Sequence, residues 1–312
     1  SYKTGASFFL LSRIVGASFR LYLVAIVLQN LVFDAMGVPF WVTVTVTILL
    51  IWLYTFKSGI KTIVWTDTLQ TLFMLISVGV AIYYVATDLG LSAASTFEYL
   101  GDSDLSQIFF FDDWKSGNHF IKQFLSGAFI AIVMTGLDQD MMQKNLTCRN
   151  LKDAQKNIFW FTIVLTIVNF IFLALGLLLT AYAEQNGIDA HKDQLFSTIA
   201  VNSDLGIGIA VFFLLGLIAA AYSSADSALT ALTTSFSIDI LDIEKKYEPK
   251  KQVQIRKRIH IIMSLVLIVV IIFFKYIIAD ASVIAKLFTF SGYTYGPLLG
   301  LYAYGMLTKW KV

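Results

Sequence analysis

Eight apolar stretches follow one another along the chain, at roughly 7–30, 38–56, 63–87, 120–143, 157–182, 206–240, 259–279 and 282–307. A bilayer core about 30 Å thick is crossed by about 20 predominantly apolar residues in helical form. One such stretch can be buried inside a soluble domain; eight, joined mostly by short polar loops, cannot. Charged residues make up 14% of the sequence and hydrophobic ones 57%, against about 25% charged in soluble domains. The expected fold class is therefore an all-α integral membrane protein of about eight transmembrane helices, forming one transmembrane domain over residues 1–312.

Loop charge orients the spans. One set of loops carries Lys3; Lys57 and Lys61; Lys144, Arg149, Lys152 and Lys156; the run from Lys245 to Arg258; and Lys309 and Lys311. The alternate loops are acidic: Asp34, then Asp88 to Asp113, then Glu184 to Asp204, then Asp280. The positive-inside rule places the basic set and both chain ends in the cytoplasm, in the plasma (inner) membrane. Cys148, the single cysteine, lies in a basic loop and is expected to be a reduced thiol; Asn145-Leu146-Thr147 on the same face is not a glycosylation site in practice. The basic stretch 245–258 reads as a topogenic, lipid-facing feature, not a nucleic-acid patch. In the outer loop 88–119, Phe109, Phe110, Phe111 and Trp114 point to a piece folded back on the helices or the interface.

Polar groups at membrane depth are costly and are kept where they have a partner or a task. In the sixth span Ser223, Ser227, Thr230 and Thr234 recur at i, i+4, i+7 and i+11, one stripe of a helix. Small and hydroxylated residues also serve as ordinary helix–helix contacts, but Asp226 among them adds the hard oxygen ligand a cation requires. In the third span Asp67 follows Thr66, and either residue could simply cap a helix. The fourth span ends in Thr135-Gly136-Leu137-Asp138-Gln139-Asp140, where Gly136 can break the helix and free backbone groups at membrane depth; an Asp140–Lys144 surface pair is the simpler alternative. Arg20 lies near the middle of the first span, too deep for easy snorkelling. It must face protein or a water-filled cavity, either in an ion pair with Asp67 or Asp138 or in contact with a substrate.

These residues resemble the sodium/solute symporter family, which includes the sodium–glucose and sodium–proline symporters. The resemblance runs over Gly59 and Val64-Trp65-Thr66-Asp67-x-x-Gln70, Gly136-x-Asp138-Gln139-x-x-x-Gln143-Lys144 with Ala154-Gln155-Lys156, Ala220 to Ser227 with Ser237-x-Asp239-Ile240, and Gly296-Pro297-Leu298-Leu299-Gly300. It implies a leucine-transporter-type fold of ten core helices in two inverted repeats, of which this chain covers core helices three to ten. It also implies one sodium site whose share in this chain is Ala220, Ser223 and Ser224. A second sodium site would use Asp67, Ser223, Asp226 and Ser227, with Asp226 where other members carry a hydroxyl; it could hold a proton instead. Met134, Leu165 and Phe288 stand where sugar-carrying members have an aromatic gate and polar sugar contacts. Arg20 falls where sialic-acid-carrying members place an arginine that meets the substrate carboxylate. The substrate site expected from the resemblance is Arg20, Met134, Thr135 and Phe288.

The expected activity is sodium-coupled import of a small organic solute by alternating access, with an anion such as sialic acid leading and a neutral sugar or amino acid as alternatives. Sodium is then a co-transported ion, and the partners are the solute and the lipid bilayer. A solute sensor or scaffold built on a transporter core is the competing class. An enzyme is disfavoured: His119, His191 and His260 show no nucleophile–base spacing.

Overall fold

The computed structural model describes residues 2–55, 60–189, 194–202, 205–277 and 283–308, and all its regular structure is helical. The order is α1 (Tyr2–Leu28), α2 (Phe40–Thr55), α3 (Ile60–Asp88), α4 (Ala93–Asp102), α5 (Phe120–Gly136), α6 (Gln139–Leu146), α7 (Leu151–Asn186), α8 (Leu195–Asn202), α9 (Ile207–Ser235), α10 (Ile243–Lys246), α11 (Pro249–Ile277) and α12 (Val283–Leu307). Each of the eight expected spans is occupied by a helix. Five segments among the described residues are long and apolar enough to cross a membrane: Lys3–Met36, Asp67–Asp88, Leu151–Asn186, Ile207–Ile240 and Pro249–Ile277. Phe40–Leu53 and Phe120–Gly136 are shorter apolar helices. The fourth span is shorter than expected because the helix stops at Gly136 and restarts at Gln139.

The chain divides into two compact units, Ser1–Asp67 with Val133–Met142 and Ala221–Val312, and Thr68–Ile132 with Gln143–Ala220. In the first, α1 packs against α2, α11 and α12. The core there includes Phe19, Leu21, Ile48, Ile51, Leu229, Leu232, Leu267 and Ile271, all at most 2% exposed. Phe19 stacks on Phe274 with ring centroids 4.3 Å apart. Without a hydrophobic force between lipid-immersed helices, such close packing is what holds them together.

Both α1 and the C-terminal part of α9 run into a π-helical turn, Gln29–Phe33 and Phe236–Ile240. The first is followed by Gly37 in the left-handed region at φ 67°. Gln29, 5% exposed, fixes this exit. Its Nε2 donates to Asp34 Oδ1 and to the Val38 carbonyl, both at 2.6 Å, and its Oε1 accepts from the Thr43 hydroxyl. Buried polar groups of this kind are kept because each finds a partner.

In the second unit α8 packs on α7. Gly216 and Gly208 of α9 lie against α3: a Cβ at Gly216 would stand 2.8 Å from Ser77 Cβ, and one at Gly208 would stand 2.7 Å from the Tyr84 hydroxyl oxygen. In the outer loop the Ser92 side chain caps α4 in a reciprocal capping box with Ser95. The aromatic segment folds onto the start of α5, as expected. The Phe120 amide donates to the Phe110 carbonyl at 2.8 Å, Phe111 and Trp114 meet buried His119 edge-on, and Lys122 Nζ sits 5.4 Å from the Trp114 ring centroid.

Candidate functional site

Two polar places stand out within the first unit. The first joins α3 to α9. The Ser223 hydroxyl donates to Asp67 Oδ1 at 3.0 Å. One turn further along α9, Asp226 is 1% exposed and Ser227 is 7% exposed. Residues three and four apart share a helix face, so Ser223, Asp226 and Ser227 form one hydroxyl–carboxylate surface, and Asp67 reaches it from a second helix. Oxygen donors of this kind suit a hard cation. Ala220 precedes Ser223 by three residues on α9. Ser224 is part of the same helix, but its side chain lies outside the described residues.

The second place is a cavity lined by Phe9, Ser12, Arg13, Gly16 and Arg20 of α1, Val133, Met134, Leu137 and Asp138 at the end of α5, and Tyr295 and Leu298 of α12. The Arg20 Nε donates to the Gly16 carbonyl at 3.2 Å, and Arg13 and Asp138 are its charged neighbours. Thr294, beside Tyr295, donates to the Ser12 hydroxyl at 3.0 Å and ties α12 to α1. Pro297 between Tyr295 and Leu298 has no N–H to give to the Tyr293 carbonyl.

Of the two alternatives for Arg20, the ion pair with Asp67 or Asp138 is not formed among the described residues. Asp138 pairs with Arg13 instead, Nη1 to Oδ2 at 2.5 Å, with both side chains about one-seventh exposed (13% and 14%). Asp67 meets Ser223. Arg13 is seven residues before Arg20, two turns down the same stripe of α1, and that offset brings it level with Asp138. Asp138 also starts α6, its Oδ1 accepting the Met141 amide at 3.2 Å. The carboxylate thus caps a helix and neutralises a cation together.

Of the expected substrate residues, Arg20 and Met134 line the cavity and Thr135 does not. Each helical residue turns about 100° from the last, so on α5 Val133 and Met134 face the cavity while Thr135 turns away, and Leu137 and Asp138 reach it from the break that follows. The side chain of Phe288 lies outside the described residues, as does that of Asp140. Sequence reasoning missed Ser12, Arg13, Gly16 and Tyr295. The first three, with Arg20, recur at helical spacing (12, 13, 16, 20), a polar stripe in an apolar span that carried the signal.

A sequence profile described as "Sodium:solute symporter family" matches residues 10–306. Over 290 residues the chain is 25% identical to the sodium/sialic acid symporter SiaT of Proteus mirabilis (strain HI4320), covering 88% of this chain and 56% of that protein. Over 267 residues it is 23% identical to the sodium/sialic acid symporter NanT of Aliivibrio fischeri (strain ATCC 700601 / ES114), covering 82% and 52%. The chain therefore spans about half the length of the curated relatives it matches. Its fold is similar to a solved structure reported as the substrate-bound outward-open state of a Na+-coupled sialic acid symporter that reveals a novel Na+ site. That match has a TM-score of 0.80 and 20% identity, and covers 98% of this chain and 63% of the other. The shared architecture is the leucine-transporter-type helical fold of a multi-pass membrane protein, and the matched group consists of transporters, not enzymes. With the profile running through all but the ends, and the helix order shared with a solved symporter, this chain belongs to the sodium:solute symporter family.

Proposed function

We propose that this chain forms part of a sodium-coupled symporter that imports a small organic anion, with sialic acid as the named candidate. Membership of the family implies a co-transported sodium ion, and the matched relatives carry sialic acid by their names. The observation that carries the anion reading is Arg20, which lines the cavity and, among the described residues, is bonded through Nε to the Gly16 carbonyl. Its terminal nitrogens form a planar fork suited to a carboxylate, and the charge persists at any physiological pH. The sodium reading rests on the Asp67–Ser223 contact beside Asp226 and Ser227; Ala220 and Ser224 complete the α9 share of a further site.

On this reading the chain supplies core helices three to ten of a single transmembrane transporter domain, with its basic loops and both ends cytoplasmic. Sodium bound along α9 favours the state that takes up solute. Because coupling is reciprocal, solute must raise sodium affinity by the same factor. The test is uptake of labelled sialic acid by the full-length protein in proteoliposomes, with an inward sodium gradient. Uptake collapses in Ser224→Ala and Asp226→Ala. Undiminished, sodium-independent uptake in both variants overturns the assignment.

A further inference from the structure

Arg13 faces the same cavity as Arg20, two turns away along α1, or about 10 Å. Asp138 holds it through Nη1, and among the described residues its buried Nε has no hydrogen-bond partner. An orphaned buried donor is uncommon, and in a native site it calls for an unoccupied role. The guanidinium therefore keeps donor capacity that Asp138 does not use, at the wall of a cavity whose other cation is positioned for a carboxylate.

We propose that Arg13 is a second anion contact of this cavity, held in reserve by Asp138, and that the solute carboxylate displaces Asp138 from it. The inference rests on the anion reading above. Asp138 acts as an internal competitor: while it occupies Arg13 the cavity carries one free-facing cation at Arg20, and when an anion arrives the fork of Arg13 exchanges one carboxylate for another. Arg13 keeps one carboxylate partner throughout the exchange, so the buried cation is never left bare, and the displaced Asp138 carboxylate keeps the Met141 amide as a partner. The exchange also acts on the backbone. Asp138 sits at the break between α5 and α6 and caps α6 at the Met141 amide, so its release from Arg13 removes one tie between this junction and α1. Binding in the cavity is thereby linked to movement of the α5–α6 break. A purely structural ion pair has no reason to distinguish a charged solute from a neutral one.

The experiment measures equilibrium binding of sialic acid and of its neutral methyl ester to the full-length protein in nanodiscs at saturating sodium. Asp138→Asn removes the competitor and tightens sialic acid binding several-fold, leaving the ester unchanged. Arg13→Gln leaves Asp138 facing the cavity and weakens sialic acid binding several-fold, again without effect on the ester. The two variants fail independently, so either one alone decides if the other does not fold. A folded variant that shifts acid and ester alike, or shifts neither, overturns the proposal. Arg20→Gln separates the two ideas. If it loses acid binding while the Arg13 and Asp138 variants show no selectivity, only this inference falls. If it retains acid binding, or if the unmodified protein binds neither ligand, the anion reading falls and takes this inference with it.

Discussion

Ser223 on α9 and Asp67 on α3 are 156 positions apart in sequence and 3.0 Å apart in space, hydroxyl to carboxylate. A half-buried carboxylate, Asp67, accepts from a hydroxyl one helical turn from the buried carboxylate of Asp226, an oxygen-rich place in an otherwise apolar setting. Asp67→Asn removes a full negative charge from it while preserving shape. The half-saturating sodium concentration for solute uptake then rises by about tenfold or more, the factor given by 1.4 kcal/mol of lost interaction. Ser223→Ala produces a smaller shift in the same direction. A sodium titration unchanged in Asp67→Asn excludes Asp67 as a ligand.

Arg20→Ala abolishes binding of anionic solutes and leaves expression and the folded fraction intact, as read by size-exclusion chromatography in detergent. Arg20→Lys does not restore full affinity, because an ammonium is a point charge without the planar fork. Loss of folded protein in Arg20→Ala assigns the residue a structural role instead.

Gly216→Ala tests the close approach of α9 to α3. Its new Cβ meets Ser77 Cβ and Oγ, both at 2.8 Å; Oγ can rotate away, but Cβ is fixed by the backbone. Overpacking of this kind costs about 1–3 kcal/mol and appears as a lower melting temperature in nanodiscs. Adding Ser77→Gly recovers most of the loss; failure of that rescue locates the strain elsewhere.

Cys148 is the chain's single cysteine, a free and partly exposed thiol between α6 and α7. In inside-out vesicles a membrane-impermeant maleimide labels it, and in right-side-out vesicles it does not. The opposite pattern reverses the orientation assigned from loop charge.

Sequence alone determined the all-helical membrane class, the order of the apolar helices and the family, while five of the eight expected spans are long and apolar enough to cross a membrane among the described residues. Length and apolarity of each stretch dictate helix in lipid, where every backbone group must be bonded internally. Motifs such as Trp65-Thr66-Asp67 and Ala220 to Ser227 keep their spacing whatever the packing. Gly136 marked the break in the fourth span for the same local reason, and the stripe around Ser223 was legible as a period. Partner choice was not legible. Asp138 could serve Arg13 or Arg20 equally from its position in the chain, and the register of α1 against α5 decided for Arg13. Thr135 was excluded from the cavity, and Tyr295 admitted, by helix rotation, which depends on how neighbouring helices pack. Helical periodicity says which residues share a face; only tertiary packing, summed over contacts far apart in sequence, says what that face meets.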